Sequence, residues 1–269
     1  MKFYNQLSKI IKKNKSLLCV GLDPDPQLMP KGFPFAQNEE ALLFEFNKWI
    51  IDQTFQFVCA YKPQIAFYAA NGQRGIENLK KTIEYIHSKY PEIPVVLDAK
   101  RGDVGHTSQM YAKEVFDFFR ADATTVNPYC GFDSLEPFFK REDKGIFVIC
   151  RTSNPGASDF QDLRVGTSPL YVEVAKKIIS WNKNYPNVFL EIGATWPQEI
   201  GTLRNLASDM LFLIAGIGAQ GGDLKATLEN GLTAARKGLI INSSRGIIYA
   251  QDPKKAAQDL KNEINKYRK

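Results

Sequence analysis

Eight short apolar runs recur along the chain, and amphipathic segments separate most of them. The runs are "SLLCVGLD" (16–23), "FVCAYKP" (57–63), "PVVLDAK" (94–100), "ATTVNPY" (123–129), "GIFVICR" (145–151), "NVFLEIGA" (187–194), "MLFLIAGI" (210–217) and "GLIINSS" (238–244). They are too short for helices and most are rich in β-branched or aromatic residues, which predicts buried strands. Between them, 39–57 sets Leu42, Phe46, Trp49 and Ile50 on one helical stripe. Segment 75–90 does the same with Ile76, Leu79, Ile83 and Ile86, and it stops before Pro91. Further helices are predicted within 107–120, 168–183, 195–207 and 223–237, with Ser168 before Pro169 and Asp223 before Leu224 as helix starts.

Eight strands alternating with helices predict an α/β fold, a single (β/α)8 TIM barrel spanning residues 1–269 as one domain. An open doubly wound sheet is the alternative, but "GLDPDPQ" after the first run is not the glycine-rich turn that such sheets often carry there. The longest unpatterned stretches, 24–38 and 152–168, each follow a predicted strand, on the face where a barrel carries its active site.

Composition adds little to that picture: 44% hydrophobic and 24% charged residues are ordinary for a globular chain, and the net charge of +6 is mild. Basic residues are scattered without interleaved aromatics, so no nucleic-acid partner is expected. Cys19, Cys59, Cys130 and Cys150 have no metal-like spacing and each lies in or beside an apolar run, so buried free thiols in a reducing compartment are expected. With no signal peptide or membrane span visible, a cytoplasmic protein without membrane partners follows.

Candidate chemistry sits at the strand ends. The first run ends in Asp23, the second in Lys62 and the third in Asp98 and Lys100, with Asp103 just beyond Gly102. Asp98 and Lys100 are two apart and point to the same side of a strand, which the cost of burying charge under helices places at the barrel mouth. "AGIGAQGGD" (215–223) and "INSSRGI" (241–247) close the last two runs, where barrels often bind phosphate through backbone N–H groups. Gln220 and Arg245 supply further donors there. Only His87 and His106 are present, too few for most zinc sites; His87 falls on a polar helix face, where exposure is expected. The residues thus predict a phosphorylated small molecule held against an Asp/Lys/Asp cluster.

"LDAKRGDVGHTS" resembles the D-x-K-x-x-D…T signature of orotidine 5′-monophosphate decarboxylases. "VGLDPDP", "AYKPQIAFY", "RTSNPGASDFQD", "EIGATWPQE", "AGIGAQGGD" and "NSSRGI" are similar, in order, to blocks of that family's longer bacterial-type branch. His106 stands where the family more often has Asn or a small residue. The resemblance implies decarboxylation to uridine 5′-monophosphate in the last step of its de novo synthesis, without metal or organic cofactor. It implies Lys100 as proton donor to C6, held between Asp98 and Asp103, with Lys62 extending the charge chain. It also implies that Asp23 holds ribose hydroxyls together with Lys62, that Ser153 with Thr152 meets the pyrimidine amide, that Gln220 and Arg245 grip the phosphate, and that Gly221 and Ser244 bind substrate. Asp103 and Thr107 are implied to reach the active site of a partner subunit in a homodimer, while Asp159, Gln161 and Asp162 organise their loop. Two alternatives remain: a metal-dependent sugar-phosphate decarboxylase or aldolase of the same barrel group, with Asp23 and Asp98 as ligands, and a barrel that binds phosphorylated ligands without turnover.

Overall fold

A computed structural model describes residues 2–30, 40–218 and 221–268. All eight apolar runs form strands: β1 (Leu18–Leu22), β2 (Ala60–Pro63), β3 (Val96–Arg101), β4 (Ala123–Val126), β5 (Gly145–Arg151), β6 (Val188–Gly193), β7 (Phe212–Ala215) and β8 (Leu239–Ser243). They pair in parallel in the order of the chain, with β8 returning to β1. Bridges between Tyr61 and Val95 and between Gln64 and Asp98 link β2 to β3, so the ring is a (β/α)8 TIM barrel. Strands covered on both sides need no polar alternation, which is why β1, β2, β4, β6 and β8 are buried at every position.

The buried apolar side chains form one cluster running from Phe3 to Ile264. The helix Lys2–Asn14 carries Phe3 across the end of the barrel where the strands begin. Phe3 meets the Phe147 ring edge-on at 5.9 Å, Phe147 lies 5.5 Å from Phe189, and Phe3 is 2% exposed. Gly145 makes room for this plug, since a Cβ there would come within 2.4 Å of the Phe3 ring. The barrel is therefore closed by aromatics at one end, and any ligand cavity belongs to the other.

Several local expectations are corrected. In the helix Leu42–Thr54 the buried stripe is Leu43, Phe46, Asn47, Ile50, Ile51 and Thr54, and Leu42 and Trp49 flank it. Asn47 is tolerated there because its amide donates to Tyr68 Oη at 2.8 Å and Thr82 Oγ1 at 3.1 Å. Asp223 does cap its helix, accepting from Ala226 N at 3.1 Å, but that helix ends at Gly231. Ser168 and Pro169 instead pair antiparallel with Arg164 and Val165, and the next helix begins at Leu170. Cys130 is exposed, unlike the other three thiols, because it ends a short 3₁₀ turn beyond β4 rather than lying in a strand. His87 is half-buried with Nε2 2.9 Å from Asp122 Oδ2. No helix among the described residues is long and apolar enough to cross a membrane.

Candidate active site

A cavity of about 630 Å³ opens at the end of the barrel where the strands finish. Its wall includes Asp23 after β1, Lys62 on β2, Asp98 and Lys100 on β3, Arg151 on β5 with Thr152 and Ser153 beyond it, Glu191 on β6, and Asn242, Ser244 and Arg245 at the end of β8. Eight of the residues expected from the sequence are thus brought together.

Asp98 is the hinge of the charge cluster. Its Oδ2 accepts from Lys62 Nζ at 2.6 Å, and its Oδ1 accepts from Lys100 Nζ at 2.6 Å and Thr125 Oγ1 at 2.8 Å. Burial alone would raise the Asp98 carboxyl, but the two ammonium groups outweigh it and hold Asp98 well below the carboxylate range. Burial would likewise lower Lys62, yet Asp98 and Asp23 keep it above the ordinary lysine range. Both oxygens of Asp98 therefore carry an ammonium where the metal-dependent alternative needs a divalent ion. Asp23 accepts from Gln64 N at 3.2 Å, and burial pushes its carboxyl upward against the pull of Lys62.

Lys100 owes its position to a backbone irregularity. The β3–β4 register slips between Leu97 and Arg101, and Lys100 has φ +46°. A left-handed backbone at a non-glycine residue costs about 1 kcal/mol or more and concentrates at functional positions. Thr125 Oγ1 holds the bend by accepting from Lys100 N at 3.0 Å. The side chain, 38% exposed, opens to the cavity.

Within this subunit a second carboxylate near Lys100 comes from a residue the sequence does not single out. Asp103 forms no ion pair with Lys100 in this chain and is not on the cavity wall; it accepts from Val104 N at 2.7 Å. Gly102 turns the loop away, its Cα packed so closely on Asn127 that a Cβ would come within 2.6 Å of Asn127 O. Instead Glu191 Oε1 lies 3.2 Å from Lys100 Nζ. Burial raises the Glu191 carboxyl and Asp98 adds to this, more than Lys100 and Lys62 offset. For Lys100, Glu191 and Asp98 overcome the lowering by burial and keep the ammonium charged.

Thr107 is exposed on the helix Gly105–Lys113, and His106 beside it is exposed too. Gly221 is off the cavity wall, with φ +82° and its N–H donating to Gly218 O at 2.8 Å. Gln220 lies outside the described residues. The loop after β5 is organised as expected: Gln161 Oε1 accepts from Thr152 N at 2.9 Å, Gln161 Nε2 donates to Thr152 Oγ1 at 2.9 Å, and Asp162 accepts from Arg151 at 3.1 Å. Arg151, not singled out in the sequence, is 1% exposed and stacks 4.2 Å from the Trp196 ring. Trp196 Nε1 in turn donates to Thr152 O at 2.8 Å, so three hydrogen bonds with Gln161 and Trp196 fix Thr152 at the cavity.

The sequence pattern of the orotidine 5′-phosphate decarboxylase / HUMPS family matches residues 16–260. The chain belongs to this family. It is 48% identical to the orotidine 5′-phosphate decarboxylase of Cellvibrio japonicus over 258 residues, 96% of this chain and 93% of that protein. The corresponding protein of Ralstonia nicotianae is 47% identical over the whole of both chains. Among solved structures, the OMP decarboxylase of Leishmania donovani superposes with a TM-score of 0.88 at 43% identity, over 100% of this chain and 99% of that one. Within this family fold, Glu191, Arg151 and Asn242 are among the polar wall residues that sequence reasoning misses. The signal for Glu191 is an acid interrupting an otherwise apolar strand.

Proposed function

We infer that this chain converts orotidine 5′-monophosphate to uridine 5′-monophosphate and CO2, without a metal, as the last step of de novo UMP synthesis. The observation that carries this reading is the Lys100 ammonium, held 2.6 Å from Asp98 and open to the cavity. When the bond from C6 to the carboxylate breaks, its electron pair stays on C6 in an orbital with little delocalisation. A fixed ammonium stabilises that charge as it develops and then transfers a proton to C6, leaving a neutral amine that recovers its proton from water. Opposite charges on either side keep Lys100 protonated until that step.

The other wall residues suit the remaining parts of the nucleotide. Asp23 just beyond β1 and Lys62 on the neighbouring β2, both on the cavity wall, suit the ribose hydroxyls. Thr152 and Ser153 suit the pyrimidine amide. Ser244 and Arg245 suit the phosphate together with Gln220 and Gly221, and positive φ at Gly216, Gly218 and Gly221 lets the backbone approach an anion there. Phosphate binding, remote from the reacting bond, supplies energy for orientation. Asp103 and Thr107, at the exposed rim after β3, suit a homodimer in which each subunit reaches into its partner's cavity. Val104 and Met110 beside them are exposed apolar residues, 60% and 40% accessible, as such an interface needs. The whole chain then acts as one barrel domain, in the cytoplasm.

The test is the loss of orotidylate absorbance with a chelator present. Turnover that survives chelation is expected. A well-folded protein that leaves orotidylate intact refutes the activity, and turnover abolished by chelation refutes its metal independence.

A further inference from the structure

Glu191 belongs to no part of the charge chain described above, yet it is the second acid on the reacting lysine. It sits on β6 with its side chain 7% exposed, Oε1 3.2 Å from Lys100 Nζ, and Oε2 buried with no hydrogen-bond partner. An unpaired carboxylate oxygen buried on a cavity wall is costly, so its retention calls for a reason. We propose that Glu191 is a positioning residue for the decarboxylation, anchoring the Lys100 ammonium from the β6 side and opposing the substrate's carboxylate across the cavity.

This role rests on the inferred activity of the site and on the geometry of an ammonium. Lys100 has three N–H donors. Asp98 takes one, and Glu191 lies at ion-pair distance from the same nitrogen on a strand across the cavity, which leaves donor capacity to face a ligand. One carboxylate alone would let a four-carbon side chain swing about that contact; two fix its head. Asp103 of the same chain makes no contact with Lys100, so Glu191 is the second carboxylate that this subunit itself brings to the ammonium.

The second half of the role is electrostatic. Facing Glu191 are Asp98 and Lys100 from β3, Lys62 from β2 and Asp23 beyond β1. Arg151 on β5, Asp25 beyond β1 and Arg245 beyond β8 lie further round the wall. Asp103 of a partner subunit, where it reaches this cavity, joins the negative side. An incoming carboxylate meets Asp98 and Glu191 as like charges. Ionised Glu191 therefore improves the turnover of bound substrate while weakening substrate binding, and protonated Glu191 does the reverse. Its carboxyl already lies above the ordinary glutamate range through burial and Asp98, and a bound carboxylate moves it further up. It thus ionises as pH rises through a raised value, and kcat and KM should rise with it.

The experiment measures kcat and KM for orotidine 5′-monophosphate across pH in wild type, Glu191→Gln and Glu191→Asp. Glu191→Gln should lower kcat about tenfold, lower KM as well, and lose the acid limb of kcat; Glu191→Asp should retain that limb and recover part of the rate. A Gln variant within twofold of wild type in kcat, or one whose kcat keeps the wild-type acid limb, overturns the proposal. So does a wild type whose kcat has no acid limb, a measurement that needs no variant to fold. A wild type with no turnover at any pH refutes the functional reading itself, which separates that failure from this one.

Discussion

The two ends of the barrel both bury positive charge, and they do so in opposite ways. At the end where strands begin, Arg204 donates to the carbonyls of Gly231, Ala207, Met210 and Gly238 at 2.6–2.9 Å. Its guanidinium lies 3.7 Å from the centre of the Phe212 ring, and burial lowers it to about 10. Its direct partners there are main-chain oxygens and a ring, with no carboxylate within ion-pair distance among the described residues. At the end where strands finish, Lys62 and Lys100 have carboxylate partners, and Lys100 remains open to solvent. Main-chain carbonyls do not titrate, so the contacts of Arg204 tie chain segments together. Carboxylates set the charge state of their partners, so the lysines are kept charged, as the proposed proton transfer from Lys100 requires. Stability and chemistry are thereby assigned to opposite faces, as the barrel architecture favours.

The strongest way to break this contrast is Lys100→Ala. Removing the ammonium should lower kcat by about a thousandfold or more, the range of a lost general acid combined with lost charge stabilisation. The melting temperature should hardly move, because the side chain is 38% exposed and its backbone is held at φ +46°, a strain that the substitution does not relieve. Steady-state kinetics and thermal unfolding on one preparation check both halves. A variant within tenfold of wild type would remove Lys100 from the reaction.

Arg204→Met is the mirror experiment. Methionine keeps the apolar stem but strands four carbonyls that the guanidinium satisfied. We expect a loss of about 3 kcal/mol in stability, roughly 5–10 °C in Tm, with kcat unchanged at a temperature where the variant is folded. Calorimetry and the absorbance assay test it. A large fall in kcat without a fall in Tm would mean that the closed end acts on the chemistry after all.

This division is partly legible in the amino-acid sequence. Eight runs of seven or eight residues locate every barrel strand, because strands sheathed on both faces read as uninterrupted apolar stretches. Acids and lysines that terminate those runs locate the core of the charge cluster on the cavity wall. The same absence of alternation hides the direction of a side chain within a run. Glu191 inside "NVFLEIGA" shows no parity that would tell cavity from helix layer, and Arg151 at the end of "GIFVICR" gives no sign that Trp196 stacks on it. Period-two counting places Asp98 and Lys100 together correctly, but not by the route the chain takes. The register slip and the left-handed Lys100 depend on Thr125, 25 residues away. Asp103, beyond Gly102, aims away from Lys100 of its own chain, in a loop packed so closely on Asn127 that Gly102 has no room for a side chain.

The finest test concerns how closely the open end is shaped. Gly193 ends β6 on the cavity wall, directly beneath Ser153; a Cβ there would come within 2.6 Å of both Ser153 N and Cα. Those are backbone atoms and cannot rotate aside, so Gly193→Ala must push the 152–153 segment outward. That segment is otherwise pinned by Gln161 and Trp196, and Thr195 Oγ1 donates to Ser153 O at 2.9 Å. If Ser153 meets the pyrimidine, the displacement should cost about tenfold in kcat/KM, or about 1.4 kcal/mol, and fall mainly on KM because Lys100 is untouched. The corresponding change at the closed end, Gly145→Ala, presses on the ring of Phe3, which can tilt, and should cost stability alone. An unchanged kcat/KM in Gly193→Ala would show that Ser153 does not set substrate binding, and the open end would then be shaped by its charges more than by its backbone.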